Sequence, residues 1–160
     1  MRSARSVTPF RSEADYSYSM DQFVGNGFLL VGDAARFVDP IFSSGVSVAC
    51  YSAKFAADAI MQALEAGDVS RHKLQPYETR LKAGVGIWYE FIRLYYKLMH
   101  LFSHFITDDR YRLQIIQLLQ GEVYDREKAG VLDEMRKVIK TVEETEGHFW
   151  QPHLSDIPID

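Results

Sequence analysis

The residues able to do chemistry in this chain concentrate between Phe28 and Val46. A continuous apolar run, Phe28-Leu-Leu-Val31, ends at Gly32-Asp33, and after an irregular stretch Ser43-Ser44-Gly45 leads into a helical pattern. An Asp at the carboxyl end of a buried strand directs its charge into the crevice where open α/β sheets bind ligands. Its carboxylate only accepts hydrogen bonds, which suits the hydroxyls of a ribose or ribityl chain. Ser44, Gly45 and Val46 offer backbone N–H groups that no earlier helical turn satisfies, beside the positive end of the helix dipole. Such a helix start holds an anion or the electron-rich edge of a ring, and Gly45 lets a ligand approach the backbone closely. Ordinary helix capping by the serines uses the same N–H groups and is compatible with that role. Asp39-Pro40 shapes the loop, because Asp initiates turns and Pro fixes φ. No catalytic acid, base or nucleophile is assigned in the stretch.

The elements expected to position these residues are strands first and helices afterwards. Tyr16-Ser-Tyr-Ser19 alternates like a half-buried strand, and Phe28–Val31 reads as a strand buried on both faces. Gly25-Asn26-Gly27 lies between them as a turn, so the two are expected to form a hairpin or to neighbour one another in a sheet. Helices are expected over Val46–Leu64, stopped by Gly67, and from Pro76, taken as a first-turn residue, with bends at Gly84 and Gly86. A third is capped at Thr107-Asp108-Asp109 and ends at Gly121, and a fourth runs over Arg126–Glu146. Within Gly84–Ile106, Glu90, Arg93, Lys97, His100 and His104 recur at helical spacing, which marks an amphipathic helix with a solvated polar stripe and excludes a membrane span. His100 and His104 belong to that stripe rather than to a metal site. Tyr89, Phe91, Tyr95, Tyr96 and Phe102 either pack a core or line an aromatic pocket, the core being favoured. Cys50 reads as a small buried hydrophobe.

Composition bounds the rest. The 160 residues, 47% hydrophobic and 25% charged, suffice for one domain with a real core. With 18 Lys and Arg against 22 Asp and Glu, no excess of positive charge is available for a phosphate backbone, so nucleic acid is not the expected partner. One Cys cannot form an internal disulfide, and with no targeting or membrane segment visible a reducing, cytoplasmic location is expected. Two strands followed by four helices make an awkward autonomous fold, so the chain is expected to be either a mostly helical domain with a small hairpin or the tail of a larger α/β protein.

Phe28-Leu-Leu-Val-Gly-Asp-Ala-Ala-Arg-Phe-Val-Asp-Pro40 resembles the second flavin fingerprint of class A flavoprotein monooxygenases. Its continuation, Phe37-Val-Asp-Pro40-Ile-Phe-Ser43-Ser-Gly45, is similar to the F-x-x-P-x-x-S-x-G pattern of flavin-dependent halogenases. The resemblance implies an α/β parent with the three-layer FAD-binding fold. This chain would be its mostly α-helical part, with a short β-strand segment near the N-terminus. Residues 1–66 would be the C-terminal piece of the FAD-binding domain and 67–160 a helical cap. It also implies use of FAD, reduced by a flavin reductase, with O2 and chloride or bromide, to halogenate a small electron-rich aromatic or carrier-bound substrate. Carried over residue by residue, Gly32 and Asp33 contact the ribityl chain, Pro40, Ser44, Gly45 and Val46 complete the flavin contact, and the N–H groups of Ser44 and Gly45 hold the halide.

Several positions depart from the pattern. Phe42 stands where free-tryptophan halogenases carry a glutamate, which points to phenols, pyrroles or carrier-bound substrates instead. Arg36 and Ser47 stand where smaller or different residues are expected. No G-x-G-x-x-G is complete, and the W-x-W-x-I-P motif and the lysine that conveys the halogenating species are absent, as both belong to a missing N-terminal part of the FAD domain. Alternatives sharing the Gly-Asp segment are an FAD-dependent hydroxylase, an isoprenoid reductase, or a non-enzymatic helical binding module. Without a nucleotide-binding βαβ unit, the 160 residues alone are expected to be inactive and to hold FAD weakly. The chain should therefore purify colourless, and a flavin absorbance band equimolar with protein would overturn that expectation.

Overall fold

The computed structural model describes residues 7–12, 17–124 and 129–158. Four strands of two residues each open it: β1 (Tyr18–Ser19), β2 (Val24–Gly25), β3 (Phe28–Leu29) and β4 (Arg36–Phe37). Five helices follow: α1 (Gly45–Glu65), α2 (Arg71–Lys97), α3 (Phe102–Thr107), α4 (Asp109–Leu119) and α5 (Gly130–Glu144). The chain is thus mostly helical, with short strands near its N-terminus, as expected.

The strand partners differ from the expected ones. β2 pairs antiparallel with β3 around Asn26-Gly27, with Val24 opposite Leu29, while β1 pairs with β4, with Tyr18 opposite Phe37. Gly27, at φ +78°, closes so tight a turn that only the residues flanking it can pair, which leaves β1 to the segment beyond Gly32. Tyr16 lies outside the described residues. Phe28 is 53% exposed and Leu29, Leu30 and Val31 are half-buried, not buried on both faces, because β2 is the only strand paired with them among the described residues.

Helix α1 fits its sequence signals. Gly67 takes φ +63°, its N–H donates to Leu64 C=O at 3.1 Å and that of Asp68 to Ala63 C=O at 3.0 Å, a Schellman termination. The start of α2 corrects the expectation, for Ser70 is its N-cap, accepting from Lys73 N–H at 3.3 Å, and Pro76 sits inside the helix. The helix tolerates Pro76 because it is exposed, and the carbonyl left without its donor is that of the exposed His72. The amphipathic stretch is also not one helix. It turns at Leu98–Leu101 and restarts as α3, which brings the Phe102 ring within 6.0 Å of Phe91. Asp108 caps α4, accepting from Arg110 N–H at 2.9 Å, and α5 is described from Gly130, so Arg126–Lys128 fall outside the described residues.

The core forms around α2, whose Leu81, Val85, Trp88, Phe91 and Leu94 are buried against α1, β2 and α5. The polar stripe of α2 is not a solvated face. Glu90 pairs with Arg136 at 2.6 Å, Lys97 with Glu143 at 3.0 Å, and Arg93 donates to Pro158 C=O at 2.6 Å, so the stripe docks α5 and the C-terminal segment. Cys50 is exposed, contrary to expectation, because Val48, Ser52, Phe55 and Ala56 carry the buried side of α1. No helix among the described residues is long and apolar enough to cross a membrane.

Glu78 of α2 holds the strands. Its buried carboxylate accepts from Phe23 N–H at 3.1 Å, from Val24 N–H at 3.2 Å and from Lys82 Nζ at 2.6 Å, while Tyr77 OH donates to Leu30 C=O at 2.5 Å. Burial works to raise the Glu78 pKa, but the Lys82 and backbone donors outweigh it and hold it below the ordinary value.

On another face of α2 the Tyr124 ring lies directly against Gly84, tilted against Tyr51 with ring centres 4.7 Å apart and edge-on to Phe55 at 4.9 Å. A Cβ at Gly84 would overlap that ring, whereas one at Gly86 would meet nothing within 4 Å. Gly86→Ala should therefore stabilise by about 0.5–1 kcal/mol through helix propensity. Gly84→Ala should destabilise by about 2 kcal/mol, because the clash exceeds the same gain. Chemical denaturation of both variants checks the opposite signs.

Candidate functional site

The site segment is a loop that interleaves two 3-10 turns with β4 and ends at α1. The first turn, Gly32–Ala34, follows directly on the apolar run. Gly32 takes φ +58° and donates its N–H to Ser52 Oγ at 2.9 Å, and Ser52 Oγ donates to Ala49 C=O at 2.8 Å, so α1 itself holds the turn. A Cβ at Gly32 would stand 3.4 Å from that of Ala49, which together with the positive φ explains the glycine. Tyr18 OH donates to Asp33 C=O at 2.5 Å, fixing the backbone while the Asp33 side chain is exposed.

The second turn, Pro40–Phe42, is capped by Asp39, whose Oδ1 accepts from Ile41 N–H at 2.8 Å while Oδ2 accepts from Tyr96 OH at 3.1 Å. Pro40 occupies its first position, the shaping role expected of it. Ser43 then adopts φ 53°, ψ 34°, the only left-handed non-glycine among the described residues. That reversal delivers Ser44, 2% exposed, to the start of α1, where its C=O accepts from Val48 N–H at 2.9 Å. The N–H groups of Gly45, Val46 and Ser47 precede that first helical bond and point out of the helix end.

One expectation fails here. Ser44 makes no capping hydrogen bond through its side chain, because its backbone is already helical, at φ −73°, ψ −15°, rather than extended. Its Oγ is buried without a partner. Around Gly45 a Cβ would meet nothing within 4 Å, and Val46 is 76% exposed, an open apolar surface beside the free N–H groups. Unsatisfied N–H donors beside an open space at Gly45 form a cradle for an anion and a ring edge, so these residues fit a flavin with a halide beside it.

Sequence reasoning missed what braces the loop. Phe42 stacks on Phe91 with ring centres 4.7 Å apart and meets Tyr95 edge-on at 4.9 Å, with Trp88 and Phe102 each at 6.4 Å. Among the aromatics weighed as core or pocket, Phe91 and Phe102 are buried core and Tyr95 packs on Phe42. Tyr89 and Tyr96 instead line a cleft of about 470 Å³ together with Val38, Asp39, Ile92 and Arg93. The signal available in sequence was the aromatic at position 42 itself, set three residues before a glycine-led helix.

The family model described as tryptophan halogenase matches residues 7–151. A 1H-pyrrole-2-carbonyl peptidyl-carrier-protein chlorinase of Pseudomonas fluorescens is 49% identical over 99% of this chain and 35% of its own length. A 1H-pyrrole-2-carbonyl peptidyl-carrier-protein brominase of Pseudoalteromonas luteoviolacea is 36% identical over 79% of this chain and 31% of its own. The solved structure of a flavin-dependent brominase superposes with a TM-score of 0.72 at 34% identity, covering 82% of this chain and 33% of that one. The chain thus spans about a third of the length of the relatives it matches.

The orphaned Ser44 hydroxyl gives the site a stability readout. Ser44→Ala removes a buried group that has no partner, so the chain should be unchanged or stabilised by up to about 1 kcal/mol. If Ser44 were a cap, the same substitution would cost about 1 kcal/mol. Urea unfolding separates the two.

Proposed function

The chain belongs to the tryptophan halogenase family, and from that premise we propose that it is the halide-side portion of a flavin-dependent halogenase acting on a carrier-bound aromatic acyl group, a pyrrole first of all. The observation that carries this is the start of α1, where the left-handed Ser43 leads into free backbone N–H groups with open space around Gly45, next to a buried Ser44 hydroxyl that has no partner. The two pyrrole-carrier relatives, and Phe42 in place of a glutamate, support the substrate class.

Reduced FAD, when bound, supplies the oxygen activation that turns chloride or bromide into an electrophile for aromatic substitution, and a flavin reductase would regenerate it. The protein residues do the rest of the work. The Asp33 carboxylate accepts from ribityl hydroxyls, on a turn that Tyr18 and Ser52 keep from shifting. Ser44 and Gly45 hold the halide through backbone N–H groups, Val46 covers the ring edge, and Pro40 with Asp39 fixes the loop between them. In this scheme residues 1–66 complete the FAD-binding domain and 67–160 cover the substrate.

The test joins this chain to the remaining part of the halogenase fold, with reduced FAD, O2, bromide or chloride, and a pyrrolyl carrier protein. The expected product is halogenated and absent when halide is omitted. A hydroxylated product, or one indifferent to halide, would overturn the proposal. Gly45→Ala should fold with stability within about 0.5 kcal/mol of the parent, since its Cβ meets nothing within 4 Å. It should nevertheless lower halide-dependent turnover at least about tenfold by filling the approach to the N–H groups.

A further inference from the structure

Arg36 is a half-buried cation to which the halide site gives no role. On β4, its Cζ lies 4.6 Å from the centre of the Tyr89 ring and its Nε is buried without a hydrogen-bond partner. Burial pulls its pKa below the ordinary guanidinium value, with only Tyr89 acting in the other direction. No carboxylate among the described residues pairs with it. A partly desolvated cation without an anion is unfavourable, and binding an anion recovers that cost through charge-assisted hydrogen bonds.

Arg36 borders a cleft of about 290 Å³ that Arg93 of α2 and Arg136 of α5 also line. Arg136 is satisfied by Glu90 at 2.6 Å and Asp133 at 2.8 Å. Arg93 spends Nε and Nη2 on the Pro158 carbonyl, a neutral acceptor, at 3.0 and 2.6 Å. Arg36 and Arg93 thus line one opening without an ion pair to a carboxylate among the described residues, the Glu90 carboxylate that also lines it being engaged by Arg136, and such a pair of guanidinium groups suits a tetrahedral oxyanion. Tyr89 and Arg93 also wall the 470 Å³ cleft that Tyr96 lines, so the arginine pocket opens beside a channel with aromatic walls.

We propose that this arginine pocket binds the phosphate ester of a phosphopantetheine arm, with the pantetheine chain laid along the Tyr89–Tyr96 cleft. The inference rests on the carrier-bound substrate proposed above. A flavin pyrophosphate or free phosphate offers the same chemistry. The pocket, however, is built by α2 and α5 together with β4, and not by the Gly32 turn or α1, where the flavin contacts are placed.

Calorimetric titration of the chain with 4′-phosphopantetheine, pantetheine, inorganic phosphate and FAD decides the matter. Phosphopantetheine should bind at least about tenfold more tightly than pantetheine and than inorganic phosphate, and Arg36→Gln and Arg93→Gln should each erase most of that margin. Equal affinity for pantetheine with and without its phosphate would overturn the proposal. So would FAD or inorganic phosphate binding as tightly as phosphopantetheine, which would assign the pocket to the flavin or to any anion. The ligand comparison on the unsubstituted chain stands even if a variant fails to fold. Because the titration needs neither halide nor turnover, loss of this proposal and loss of the halogenase assignment are read separately.

Discussion

The strand half of the chain depends on a carboxylate that the helical half supplies. Strands of two residues cannot hold themselves together, and unsatisfied buried N–H groups on them would cost about 1–3 kcal/mol each. Glu78 accepts two of those N–H groups, from Phe23 and Val24, and Lys82 balances its charge. Since the folded Glu78 pKa lies below its ordinary value, this stabilisation is present at neutral pH and is lost as the pH falls through the lowered pKa. Tyr77 adds a grip on Leu30, so the residues leading to Gly32 are registered against α2 before the site loop begins.

From that anchored base the loop reaches a conformation that local sequence does not favour. Ser43 in the left-handed region costs about 1–2 kcal/mol. The constraints that hold it come from three elements: Ser52 of α1 on Gly32, Tyr96 of α2 on Asp39, and the aromatic group around Phe42. A site whose recognition groups are mostly backbone N–H has little side-chain chemistry to adjust, so its geometry must be set by the scaffold. The unpartnered hydroxyl of Ser44 is a cost that the scaffold carries.

What the sequence made legible was local. The Gly32-Asp33 turn, the Asp39-Pro40 turn and the Asp108 cap each carry their physical cause within a few residues, and the structure places all three where those causes act. What was not legible needed a partner distant in sequence. β1 pairs beyond Gly32 rather than across the nearest turn, and the stripe from Glu90 to Lys97 meets α5 and the C-terminal segment instead of water. Pro76 looked like a helix start, because an exposed helix can carry one missing donor that no local rule forbids. Ser44 looked like a cap, because composition does not show whether a serine's own backbone is extended or already helical.

Phe42 has a consequence for how such proteins change over time. Because its ring is wedged among Trp88, Phe91, Tyr95 and Phe102, the loop that leads into α1 and the helices α2 and α3 form one mechanical piece. A replacement on α2 or α3 that moves this aromatic group shifts the loop as well, and a charged residue at position 42 would require the group to be rebuilt around it. In the proposed function, substrate range and halide handling are therefore not separately adjustable: they are inherited together, through one ring.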